Sequence, residues 1–356
     1  MKKYMFLGLT IFAFISMFKY SANAQSVKVG GFLQTWIFLN QETTAPSQYP
    51  DIDIAESTSG IRARRARLTT NATLNEIFGA NVTVEFATAS RALIDFAVTA
   101  KIAPELMFTL GQFVAPCQMY ETGKLPSTKL ILYELSNISM NLSSMMGFDG
   151  YRDVGIMVSG NINNMFRYYA YYGNGTGRLF YAGTDILNKR LSDGLYGARL
   201  EVEPIKGLSI GGHYSINKQD NVYTTSSGLL NMDRNSYSID LVTEGFGLPF
   251  LSTIISYGVG QLKDNSPHTL NNNGLSATLM FNVTKQIQLT GRFDYIKYNY
   301  ATYNADKLNN VVFGANWYFY KDDSEIFKIG IDYHIRNERN YDATSNALLI
   351  WTQVKF

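Results

Sequence analysis

Apolar and polar residues alternate along most of the chain. In its last ten residues Leu348, Ile350, Thr352, Val354 and Phe356 share one parity; Leu349, Trp351, Gln353 and Lys355 share the other. A β-strand repeats every two residues, so each parity makes one face. An apolar face running to a terminal Phe is expected of a strand that closes a transmembrane barrel, where lipid tolerates no open edge. The same alternation predicts strands at 27–40, 61–74, 79–88, 91–101, 106–113, 152–162, 164–173, 193–203, 206–216, 234–244, 250–260, 273–283, 286–298, 308–319, 326–336 and 347–356. The count is sixteen. An even number puts both termini at one end of the barrel.

The connections alternate too. After even-numbered strands they are short and rich in turn formers: Asn75 to Phe78, Ala103-Pro104-Glu105, Asn163, Pro204-Ile205, Glu244 to Pro249, Thr284-Lys285 and Tyr320 to Glu325. After odd-numbered strands they are mostly longer and polar: 41–60, 114–151, 174–192, 217–233, 261–272, 299–307 and 337–346, with a short link only near Ala89-Ser90. Short periplasmic turns and long outer loops are the layout of an outer-membrane barrel. The expected fold is therefore all-β, a transmembrane antiparallel barrel of about sixteen strands with both termini periplasmic.

The faces sort by charge. Leu68, Ala72 and Leu74 are read as outward, against Arg65, Arg67, Thr69 and Asn71 inward; Ile94, Phe96 and Val98 as outward, against Arg91, Asp95 and Lys101. A Lys or Arg on the lipid side at mid-membrane costs about 2–4 kcal/mol, so the charged parity faces the lumen. Further lumen cations would be Arg167, Arg199, Arg292 and Arg336; lumen anions would be Glu85, Asp95, Asp153, Glu201, Asp240, Asp294 and Asp332. Arg199 with Glu201, and Arg292 with Asp294, are spaced to pair on one face.

Composition adds a processing step. Lys2 and Lys3, the apolar run Tyr4–Phe18 and Ser21-Ala22-Asn23-Ala24 read as a signal peptide, leaving residues 25–356 as the barrel. Its loss removes Lys2, Lys3 and Lys19, so 31 basic residues less these three is 28, against 29 acidic ones. Near neutrality excludes a wholesale basic surface for nucleic acid. No uncharged stretch in 25–356 reaches the length of a transmembrane helix. The 24 Tyr and 22 Phe can furnish interfacial girdles in outer-membrane lipid and lipopolysaccharide. The single Cys117 excludes an internal disulfide, and the three histidines have no metal or nucleophile spacing. No enzyme activity, cofactor or metal is expected.

Two segments hold the candidate chemistry. In Arg62-Ala-Arg-Arg-Ala-Arg67 strand parity puts Arg65 and Arg67 in the lumen and sends Arg62 and Arg64 outward, near the extracellular rim. The inward pair is either a cationic ladder that draws in anions or a wall element neutralised by acids such as Glu85. The segment 114–151 either folds inward as a constriction, with Lys124, Lys129 and Glu134 near the solute, or caps the barrel outside. The inward fold is expected.

Three motifs resemble the phosphate-selective porin O and P family: Gly60-Ile-Arg-Ala-Arg-Arg-Ala-Arg-Leu68, Leu110-Gly-Gln-Phe-Val-Ala-Pro116 and Gly150-Tyr-Arg-Asp-Val-Gly-Ile-Met-Val-Ser-Gly160. The likeness covers about residues 27–175, and Val114 stands where the family motif commonly has Lys. The terminal Phe is similar to the C-terminal recognition signal of Gram-negative outer-membrane proteins. The resemblance implies a homotrimeric channel for small anions, phosphate among them. Arg65 and Arg67 would sit in its wall, and Arg152 and Asp153 at the start of the sixth strand. The expected function is passive diffusion of small hydrophilic solutes with an anion or phosphate bias. The alternative is a non-conducting barrel acting as an anchor, adhesin or secretion-complex component.

Overall fold

The computed structural model describes residues 25–42, 59–87, 93–117, 152–175, 194–224, 228–263, 269–300, 303–320, 326–338 and 343–356. They form sixteen strands. These are β1 (Ser26–Glu42), β2 (Ser59–Thr73), β3 (Phe78–Glu85), β4 (Leu93–Ala103), β5 (Leu106–Val114), β6 (Arg152–Ile162), β7 (Phe166–Gly173) and β8 (Gly194–Ile205). They continue with β9 (Leu208–Thr224), β10 (Gly228–Glu244), β11 (Leu251–Lys263), β12 (Thr269–Asn282), β13 (Ile287–Tyr300), β14 (Tyr303–Tyr318), β15 (Phe327–Glu338) and β16 (Ala343–Lys355). Each strand pairs antiparallel with the next, and β16 pairs with β1. The closed barrel leaves no row of unpaired amides, the condition for a backbone that crosses lipid.

The terminal strand makes the closure. Phe32 faces Lys355, Trp36 faces Trp351 and Glu42 faces Ser345 across the seam. The Phe356 amide donates to the Gly31 carbonyl (3.0 Å), and the Gly31 amide donates back (2.9 Å). Gly31 is required there: a Cβ would lie 2.2 Å from the Arg67 carbonyl oxygen and 2.9 Å from the Phe356 ring.

The two surfaces invert the usual order of a soluble domain. Ile61, Leu200, Phe313 and Val29 are exposed on the outside, while Gln34, Arg199, Asp240, Asp332 and His334 are buried on the inside. The outer face thus suits hydrocarbon and the lumen suits water and charge. The short turns sit at the end that holds residues 25 and 356. Asn75 Oδ1 accepts from the amides of Ile77 (2.9 Å) and Phe78 (2.7 Å), and Asn163 and Asn164 adopt positive φ in the β6–β7 turn. These are the local bonds that let Asn make tight reversals.

At the opposite end the strands run further than the alternation suggested. The predicted loops 217–233, 261–272, 299–307 and 337–346 are largely hairpin: Asn271, Asn272 and Asn273 pair with Gln261, Gly260 and Val259. Beyond the hydrocarbon belt no apolar face is needed, so polar sequence continues as strand while cross-strand bonds hold the backbone. Ile94 is a second correction. It is 1% exposed, not lipid-facing like Phe96 (41%) and Val98 (50%). The register shifts beside it, with Thr83 opposite Asp95 and Val84 opposite Leu93. One extra residue in β4 is a bulge, and a bulge inverts parity.

Candidate functional site

A bulge also reorganises the arginine segment. Gln34 pairs with Arg65, but Thr35 pairs with Ala63, so Arg64 is the inserted residue. Below it the odd positions Arg65 and Arg67 share the lumen face with Gln34 and Phe32. Above it Arg62 lies opposite Trp36, which is 1% exposed on the same face. Arg62 and Arg64 were expected to point outward; instead their guanidinium carbons stand 4.4 and 5.2 Å from the Trp36 ring centroid. Unbroken period-two counting cannot see an inserted residue. Ile61 and Ala63 take the outward positions. The lumen thus receives four arginines from six consecutive residues, two of them stacked on an aromatic face as guanidinium groups favour.

The three motifs converge on this sector. Arg67 Nε donates to Glu85 Oε2 (2.9 Å), and Glu85 Oε1 also accepts from the Ala66 amide (2.6 Å). Arg152 grips Asp95 with both ends of its fork: Nε to Oδ1 at 2.6 Å and Nη2 to Oδ2 at 3.2 Å. Arg65 Nη1 donates to Gln34 Oε1, and Gln34 Nε2 to Gln353 Oε1, both at 2.8 Å. Arg62, Arg64, Arg65, Arg67 and Arg152 therefore meet two carboxylates here among the described residues, Glu85 and Asp95. In Leu110-Gly-Gln-Phe, Gly111 has φ +132°, and a Cβ on it would lie 2.2 Å from the Phe96 carbonyl oxygen. The Gln112 amide donates to the carbonyls of Leu93 (3.3 Å) and Ile94 (2.5 Å), which pins the β4 bulge. Phe113 joins a lumen cluster with Trp36, Tyr171, Leu195, Leu349 and Trp351.

Further round the wall the charges cancel. Arg199 Nε donates to Glu201 Oε1 (2.9 Å), its Nη2 lies 2.7 Å from Asp240 Oδ2, and Arg167 reaches Glu201 Oε2 at 3.1 Å. Arg199, Glu201 and Asp240 are 0–1% exposed. The chain leaving β5 turns into the lumen against this network. Ala115 and Cys117 are buried, and the Cys117 carbonyl accepts from Arg199 Nη1 (3.0 Å) and Ser238 Oγ (2.5 Å). Residues 115–117 turn inward here; the rest of segment 114–151, with Lys124, Lys129 and Glu134, lies outside the described residues.

Arg292 bonds Asp294 (2.8 Å), which also accepts from Ser276 Oγ (2.6 Å). Arg336 is 2% exposed on the lumen face of β15. Lys101 is exposed near the short-turn end of β4. Asp153 is not a free lumen charge: its Oδ2 accepts from the Gly175 amide (2.6 Å). Arg91 and His268 lie outside the described residues. His213 stacks on Tyr171, whose hydroxyl is 3.0 Å from Nε2, and His334 is fully covered. Among the described residues no cluster of three or more His, Cys, Asp or Glu could hold a metal. Sequence reasoning missed Trp36 and Trp351 as lumen residues beside cations. Lys328 Nζ lies 5.5 Å from the Trp351 ring centroid and Trp351 Nε1 donates to Asp332 (2.9 Å). The signal was their parity, shared with Gln34 and Gln353.

No family model and no curated protein matches this sequence. Solved structures do. The trimer form of OmpT, an outer membrane protein of Vibrio cholerae, matches with a TM-score of 0.68 and 12% identity, over 94% of this chain and 100% of that one. The fold is that of outer-membrane β-barrels. An anion-selective porin from Comamonas acidovorans matches at 0.67 and 12% identity, over 93% and 99% of the two chains. The outer membrane channel DcaP of Acinetobacter baumannii matches at 0.66 and 12%, over 95% and 99%. At such identity the likeness is one of fold, and the resemblance to the phosphate-selective family rests on the three motifs.

Proposed function

We propose that this chain is an outer-membrane porin, inserted with both termini periplasmic after removal of residues 1–24. It works as a homotrimer that passes small hydrophilic solutes with a bias toward anions, phosphate among them. The observation that carries the reading is the sector of Arg62, Arg64, Arg65, Arg67 and Arg152 on one lumen wall, beside a chain segment that enters the lumen after β5. Guanidinium groups in a low-dielectric channel attract and briefly hold anions without chemistry. Phosphate suits their forked donors. The remaining steering residues would be Lys101, Arg167, Arg199, Arg292 and Arg336, with the last four modulated by their acidic neighbours.

The test is planar-bilayer recording of refolded protein. Stepwise KCl conductance, in triplets if the trimer inserts as one unit, is the expected result. A second reading, a non-conducting barrel used as an anchor or adhesin, has one observation in its favour. Gln353, Leu349, Asp332 and His334 are all 0% exposed, although a sixteen-stranded lumen has room for water. Absence of any conductance step from folded protein would select it.

A further inference from the structure

Beneath the point where the chain leaves β5, the lumen wall holds a recess of about 570 Å³ between β4 and β7. That volume is far larger than an inorganic phosphate and lies within the range of small-molecule pockets, roughly 300–1,000 Å³. Its surface is divided. Met107, Met157, Val114 and Pro116 give it an apolar side. Methionines adapt to irregular apolar shapes. Lys101, Arg167, Ser159 and Asn161 give it a polar side.

The polar side carries surplus positive charge. Arg167 shares Glu201 with Arg199, which also pairs with Asp240, so those four groups balance. Lys101 is exposed to the recess and has no ion-pair partner among the described residues. Ser159 adds an unmet need: it is 3% exposed, and its buried hydroxyl has no hydrogen-bond partner among the described residues. A buried hydroxyl left in that state costs free energy that a ligand oxygen would recover.

We propose that this recess binds a small organic monoanion with an apolar body, its carboxylate held by Lys101 and the Ser159 hydroxyl and its carbon chain laid against Met107 and Met157. Inorganic phosphate would satisfy the cation and leave the apolar side wet; a neutral alkanol would do the reverse. The site deepens the porin reading, which supplies the ligand's route through the lumen.

The experiment uses refolded full-length barrel in planar bilayers, with hexanoate, acetate, inorganic phosphate and hexanol as probes of the KCl current. Hexanoate should reduce the current saturably, at a concentration about a hundredfold below that of acetate, since four added methylenes leave water. Phosphate and hexanol should not saturate. Lys101→Met should raise the half-blocking hexanoate concentration about tenfold, the loss of one charge-assisted bond; Ser159→Val is the second variant should Lys101→Met fold poorly. Equal block by acetate and hexanoate, or an unchanged response in the folded variants, overturns the proposal while leaving the porin standing. If no KCl current appears, the porin reading falls. The recess is then judged by equilibrium dialysis of hexanoate against barrel in nanodiscs: retention by wild type and not by Lys101→Met supports it, and equal retention overturns it.

Discussion

Arg199 on β8 and Arg64 on β2 both point into the lumen, and the described residues around them differ. Arg199 is fully buried between Glu201 and Asp240, and Arg167 completes a set of two cations and two carboxylates. Arg64 sits in a run of arginines where Trp36, an uncharged ring, is the surface that two guanidinium groups stack on. Charge cancelled over a few ångströms has a short-ranged field; a like-charged row has a field that reaches into the channel. Facing the lumen is therefore not enough to steer an anion. The acids beside each arginine decide whether its charge serves the wall or the solute.

This difference can be broken from either side. The largest effect is expected at Arg199. Arg199→Leu leaves Glu201 and Asp240 buried without their shared cation, and should destabilise the barrel by about 3–5 kcal/mol in urea unfolding from liposomes. Because Arg167 is then left against two carboxylates, any selectivity change in the folded fraction should be toward cations. Deleting Ala63 comes next. With the bulge gone, Arg64 takes the outward place opposite Thr35 near the rim while Arg62 stays opposite Trp36, a cost of about 1–2 kcal/mol between the midplane and interface values. Anion preference should fall with it, since one of the four arginines leaves the lumen. A smaller change is expected from Ser238→Ala, which removes one of the two bonds to the Cys117 carbonyl, worth about 1 kcal/mol. Its sign of success is noisier conductance with unaltered selectivity, because the inward segment loosens. Among changes to the β2 ladder, Trp36→Leu should move selectivity least: two guanidinium–ring contacts of about 0.5–1 kcal/mol each are lost, but the arginines keep their charge, so reversal potential should shift by less than in any variant that removes a β2 arginine.

The same comparison shows what the sequence could reveal. All sixteen strands are legible because a barrel wall repeats one rule, apolar out and polar in, from Ser26 to Lys355. The pairs Arg199–Glu201 and Arg292–Asp294 are legible for the same reason: two residues apart on a strand is one face. The rule fails where the count slips. Arg64 and Ile94 sit at bulges, and nothing in Arg62-Ala-Arg-Arg-Ala-Arg67 marks which residue is the insertion. It fails again outside the membrane belt, where Asn271-Asn-Asn273 is strand without an apolar face. Cross-barrel partners are out of reach altogether: the Cys117 carbonyl meets Arg199 and Ser238 only because the closed sheet brings three distant segments together.

The central claim is that the β2 arginines bias permeation toward anions. Reversal potential in a KCl gradient tests it most directly, compared between wild type and Arg62→Gln/Arg64→Gln. The account predicts an anion-side potential for the wild type that moves toward zero in the double variant, with the single-channel step retained. A cation-side potential in the wild type, or the same potential in both proteins, would contradict it.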